Sequence, residues 1–167
     1  MSWVPRDIRP KSEGTSINVC SCPCRLTAPE IHLVRKSFSQ LQGRTELAGL
    51  IFFQRLFELD LELRSLFTGK IEDQAALLME YLATTIAWLE HPGVIERDLE
   101  EWGGRYSEHA TITRHYDLAT RALLDTFTAL LGAGFSEEAK VAWTSLCGET
   151  RAAMLRGAKA GQNRSRT

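Results

Sequence analysis

The stretch IEDQAALLMEYLATTIAWLEHPG, residues 71–93, is the longest unbroken pattern in the chain and decides its class. Leu78, Leu82, Thr85, Ile86 and Leu89 recur at helical spacing and share one stripe. His91-Pro92-Gly93 then stops the pattern, because proline has no amide hydrogen to donate and pushes its predecessor out of helical geometry. The same period recurs on both sides. Upstream, LTAPEIHLVRKSFSQL (26–41) offers Thr27 as N-cap, Pro29 and Glu30 in the first turn, and Ile31, Val34, Phe38 and Leu41 on one face. TELAGLIFFQRLFELD (45–60) spreads Leu47, Leu50, Ile51, Phe53, Leu56 and Phe57 over more than one face, which predicts a helix packed on several sides. LELRSLFTG (61–69) fits a short helix running into a glycine-containing corner.

Downstream, VIERDLEEWGGRY (94–106) predicts a short helix with Val94, Ile95, Leu99 and Trp102 inward and an end weakened by Gly103-Gly104. DLATRALLDTFTALLGAGF (117–135) sets Ala119, Leu123, Phe127 and Leu130 on one face and ends at Gly132 and Gly134. SEEAKVAWTSLCGETRAAMLRGA (136–158) opens on Ser136 as N-cap and places Ala139, Trp143, Leu146, Thr150 and Met154 inward. No segment alternates as a strand does between hairpin turns. The expected fold class is all-α, six or seven helices around one core.

A chain of 167 residues suits one domain, expected over 27–158, with a poorly ordered tail over 1–26 and a frayed basic end over 159–167. A formal net charge of -1 gives no electrostatic reason to expect nucleic acid. Charged residues and glutamines interrupt every apolar run, so no membrane span is expected, and the first residues lack the apolar core of a secretory signal. A cytoplasmic, bacterial protein is the expectation. Three of the four cysteines, Cys20, Cys22 and Cys24, sit in CSCPC, while Cys147 lies far away on an inward helical stripe. That is no disulfide framework. The triplet reads as a reduced tail, with zinc or copper(I) handling as the other reading, although closed zinc sites take four ligands at wider spacing. The acidic pairs Glu96/Glu100 and Glu137/Glu138 read as solvated helix faces, and no phosphate loop or catalytic triad can be registered.

The order of these helices, together with FQRLFELDLELRSLF (53–67), resembles the globin family over residues 27–158, particularly bacterial single-domain globins and the haem domains of flavohaemoglobins. The resemblance implies a globin fold holding haem b, with its iron, between residues 71–90 and 94–106. Phe67 corresponds to the phenylalanine that stacks on the haem, and Phe53 to a helix position facing its distal side, where many bacterial relatives carry tyrosine. Gln74 corresponds to the distal position, with Leu78 one turn on. Tyr116, beside His115, resembles the start of the helix that borders the pocket. On the proximal side the register lands on Tyr106, where the family carries histidine, and His109 follows one turn later.

Three readings of GGRYSEHATITRHY (103–116) stand open. Tyr106 ligates a ferric haem, His109 ligates it after a shift of one turn, or no haem binds and the fold serves as a sensor or protein-interaction module. An anionic phenolate favours iron(III) over iron(II), so Tyr106 ligation implies peroxidase-like, nitrite or nitric oxide chemistry rather than oxygen storage, and Arg105 or Arg114 could promote its ionisation. The implied partners are a diatomic gas (O2, NO or CO) and an external reductant, in a monomer or homodimer.

Overall fold

In the computed structural model, residues 26–67, 69–91, 96–101 and 112–164 are described. The tail expected over 1–26, with CSCPC, therefore lies outside the described residues except for Leu26. Every regular element described is helical, and no strand occurs among the described residues. The order is α1 (Ala28–Ser39), α2 (Thr45–Leu59), a 3-10 helix (Leu61–Leu66), α3 (Ile71–Ala87), α4 (96–101), α5 (Ile112–Leu131), a 3-10 turn (Gly132–Gly134) and α6 (Glu137–Arg164). The all-α expectation holds, and the helices follow the order of a globin fold.

Local chemistry explains most of the boundaries. Thr27 caps α1 reciprocally with Glu30: the Thr27 amide donates to Glu30 Oε2 at 2.7 Å, and the Glu30 amide donates to Thr27 Oγ1 at 3.4 Å. The Thr27 amide, and after it the Thr27 hydroxyl, which donates to Glu30 Oε2 at 2.8 Å, hold the Glu30 carboxyl below its usual range. Ser136 caps α6 by accepting from the Ala139 amide at 3.3 Å. Three boundaries differ from the pattern reading. The turn that ends α3 begins at Trp88, ahead of Pro92. Helix α5 starts at Ile112, so His115 and Tyr116 are already helical. Helix α6 continues to Arg164, beyond Ala158, past Gly161 and Asn163, which are poor helix formers. One inward assignment also fails among the described residues: Leu47, in the first turn of α2, is 48% exposed.

The core is continuous from α1 to α6. Trp143 is fully buried, stands edge-on to Phe127 at 4.7 Å, and donates its indole N–H to Ser37 Oγ at 2.8 Å. That bond satisfies the one polar atom of the largest core side chain and ties α6 to α1. Helices α2 and α3 cross closely at Gly49. A Cβ there would lie 2.8 Å from the Ala75 Cβ and 2.9 Å from the Ala75 carbonyl oxygen. Only glycine permits this approach. A second close contact sets α4 on α6, where a Cβ on Gly157 would overlap the Glu100 carbonyl. Arg156 Nε donates to Glu100 Oε1 at 2.7 Å beside it.

Candidate functional site

The crossing at Gly49 determines what faces what. Phe53 follows Gly49 by four residues and so shares its face of α2, while Gln74 and Leu78 flank Ala75 along α3. All three are buried, Phe53 completely, and Gln74 is only 4% exposed. Phe67 closes the wall from the corner after the 3-10 helix, with its ring edge-on to Phe53 at 5.0 Å. Phe57 packs against both, 5.8 Å from Phe53 and 5.7 Å from Phe67, and the Arg64 guanidinium lies over the Phe57 ring at 5.4 Å. Phe52 stands edge-on to Phe53 at 5.2 Å. The result is an aromatic wall, and Gln74 is buried on α3 one residue before the Gly49–Ala75 contact.

That amide is the informative feature. A primary amide can both donate and accept, and enclosing it in an apolar region costs free energy unless its polar atoms are used. On an exposed helix rim a glutamine would need no explanation. Here it sits inside, one turn from Leu78.

The corner that delivers Phe67 is fixed electrostatically. Asp60 Oδ1 accepts from the Glu62 amide at 3.0 Å, and Asp60 Oδ2 accepts from Arg114 at 2.7 Å. Arg114 therefore serves the junction between α2 and α5. Arg105 lies outside the described residues.

Tyr116 lies in a different environment. It forms a second, smaller cluster with Leu99, Ala153 and Met154, against which Tyr81 also packs. The Tyr116 hydroxyl contacts the Met154 sulfur. Burial, and after it the neighbouring Tyr81 and Cys147, raises the Tyr116 phenol well above its ordinary value. Burial likewise pushes Tyr81 up to about 12 and Cys147 up to about 11. These side chains stay neutral around physiological pH, and Cys147 behaves as a small apolar group rather than a nucleophile.

Of the residues singled out in the sequence, the fold thus joins Phe53, Phe67 and Leu78 in one core and buries Gln74 beside them. It sets Tyr116 in the neighbouring cluster. Tyr106 and His109 lie outside the described residues. Phe57, Arg64 and the Gly49–Ala75 contact carry no motif of their own. A glycine four residues before Phe53, within an otherwise apolar helix, was the available signal for the crossing. Among the described residues no three His, Cys, Asp or Glu side chains gather as a metal-binding group. No described helix is long and apolar enough to cross a membrane.

No protein-family model matches the chain. Two curated proteins of Oncorhynchus mykiss are similar to it over nearly their whole length. Neuroglobin-1 is 27% identical over 156 residues, covering 84% of this chain and 98% of that protein. Neuroglobin-2 is 24% identical over 156 residues, with the same coverage of 84% and 98%. Both are fish proteins, so the expected resemblance over residues 27–158 to bacterial single-domain globins and flavohaemoglobin haem domains is not confirmed. Identity at this level, sustained across the chain and joined to the helical order above, supports a globin-family relationship.

Proposed function

We propose that the protein is a haem-binding globin that takes up a diatomic ligand at the iron, with the haem b seated between α3 and residues 94–106. The observation that carries this reading is that Phe53, Phe67 and Leu78 share one core and that Gln74, one turn before Leu78 on α3, is buried. Haem pockets need just this combination of apolar walls and very few polar atoms on the ligand side. The residues present fit the group on that side. Similarity to neuroglobins adds independent support.

Haem, when bound, supplies an iron that takes up a small gas; the chain's own residues set its surroundings. Phe67 and Phe53 would pack on the ring system and exclude water. The Gln74 side-chain amide would donate a hydrogen bond to a bound ligand. Phe53 offers no hydroxyl, so the pocket holds one donor fewer than it would with tyrosine there, and stabilisation of a polar ligand falls to Gln74. Tyr106 or His109 would hold the iron. A histidine ligand favours reversible gas binding, whereas a tyrosinate favours ferric chemistry that draws on an external reductant.

Titration of the purified protein with hemin, followed by absorption spectra before and after dithionite and carbon monoxide, tests the proposal. A saturable Soret band at one hemin per chain is expected. Loss or displacement of the band in Tyr106→Phe alone identifies the tyrosine as ligand, and the same effect in His109→Ala alone identifies the histidine. Absence of saturable uptake refutes haem binding and leaves a haem-free sensor or interaction module. Gln74→Leu should retain hemin but release bound oxygen or nitric oxide faster by about tenfold, the effect of one lost hydrogen bond to a polar ligand.

A further inference from the structure

The corner that carries Phe67 has little packing of its own. Among the residues of the 3-10 helix only Leu63 is buried, while Leu61 is 79% exposed and Leu66 43%. Downstream the chain turns at Gly69 with φ +100°, where a Cβ would meet nothing within 4 Å, and no side chain caps the start of α3. A 3-10 segment has poorer hydrogen-bond geometry than an α-helix, so bonds at its start have to hold it.

Asp60 supplies those bonds. Its amide donates to the Leu56 carbonyl at 3.1 Å and ends α2, and its carbonyl accepts from the Leu63 amide at 3.2 Å and begins the 3-10 helix. Its Oδ1 accepts from the Glu62 amide at 3.0 Å, and its Oδ2 accepts from Arg114 Nη2 at 2.7 Å. The last bond differs in kind. It is charge-assisted, it reaches across to α5, and it joins an Asp60 side chain that is 9% exposed to an Arg114 side chain that is 68% exposed. One partner is fixed, and the other lies within reach of salt. The nearby Arg55–Glu58 pair, by contrast, stays within α2 with both partners exposed. Phe67 follows at the end of the corner: its amide donates to the Arg64 carbonyl at 3.2 Å, and its ring stands edge-on to Phe53 and Phe57.

We propose that Asp60 and Arg114 are positioning residues for haem: their bridge pins the corner to α5, holds the Phe67 ring in place against the haem and so sets how fast haem escapes. The role rests on the haem-binding reading above. Both residues act through Phe67, because the corner can swing away from α5 only when the bridge opens.

The test is the rate of hemin loss from the loaded full chain to excess apomyoglobin, read beside amide NMR spectra of the hemin-free chain. The variants are Asp60→Asn, Arg114→Gln, Arg114→Lys and the Asp60→Asn/Arg114→Gln pair. Asp60→Asn keeps an acceptor for the Glu62 amide, so the cap of the 3-10 helix survives in it. Hemin loss should rise about tenfold in Asp60→Asn and in Arg114→Gln, rise no further in the double variant, and return most of the way in Arg114→Lys. Sodium chloride at about 1 M should speed loss from the parent more than from Arg114→Gln, a response that a general loosening of the fold would not give. In the hemin-free chain the Leu63 and Phe67 amides should shift in Asp60→Asn and Arg114→Gln and stay in place in Arg55→Gln. Unchanged hemin loss in Arg114→Gln, additive effects in the double variant, an equal salt response in parent and variant, or unmoved Leu63 and Phe67 amides would overturn the assignment. A parent chain that takes up no hemin would sink the haem reading and this role with it, whereas unchanged loss from loaded variants would sink this role alone.

Discussion

Two buried regions of this molecule are built on opposite principles. The wall formed by α2 and the corner joins Phe52, Phe53, Phe57 and Phe67 through edge-on and tilted ring contacts, with Gln74 buried nearby on α3. The region where α3 meets α5 and α6 instead buries two phenols and a thiol, and threonines that cap their hydroxyls on their own helix, as Thr120 does on Tyr116 and Thr150 on Leu146. The first draws its stability from apolar area and shape. The second carries groups whose neutral forms are favoured by burial, so its stability depends on pH. The comparison teaches that burial alone says little about a residue's role; what is buried, and with what around it, decides.

The largest expected effect lies in the aromatic wall. Phe53→Ala removes a fully buried ring with three aromatic neighbours and should cost about 3–5 kcal/mol in urea unfolding, before any haem is added. A loss below about 1 kcal/mol would mean that this wall is not closely packed. Next comes the crossing that aligns it. Gly49→Ala brings a methyl group to 2.8 Å from the Ala75 Cβ and should destabilise by about 1–3 kcal/mol, seen as a lower Tm. A neutral outcome would show that α2 and α3 separate without penalty.

The polar region responds to alkali. Cys147 is pushed up to about 11 from the ordinary thiol value of 9.0, so the folded state retains its proton where the unfolded chain loses it. The stabilisation is complete below pH 9 and is lost as pH rises toward 11, amounting to about 2 kcal/mol by pH 10.5. Cys147→Ala should remove that part of the pH dependence, as measured by urea midpoints at pH 7.5 and 10.5, while Tyr81 and Tyr116 maintain a decline at still higher pH. Equal pH slopes in variant and parent would remove Cys147 from the explanation. The smallest effect has the opposite sign. Tyr81→Phe deletes a buried hydroxyl that makes no hydrogen bond among the described residues and should raise stability by up to about 1 kcal/mol. A decrease instead would mean that a bound water or ligand satisfies that hydroxyl.

The sequence by itself determined the helical class, because apolar spacing, the Thr27 and Ser136 caps and the glycine-rich breaks are properties of local segments. It also located Phe53, Phe67, Gln74 and Leu78 as a group through their resemblance to a family. It placed helix ends less well: α6 runs past Ala158, and α5 begins ahead of Asp117, since terminal turns carry too little apolar pattern to mark their ends. Only the tertiary structure decided that Gln74 is buried, that Leu47 is exposed, that Arg114 is held by Asp60, and that Tyr81, Tyr116 and Cys147 share a polar interior. The physical reason is that helical periodicity assigns a residue to a face, whereas burial and partners depend on which other helix arrives there and how closely. Here that distance is set at two glycines, Gly49 against Ala75 and Gly157 against Glu100, whose role lies in a contact between segments distant in sequence.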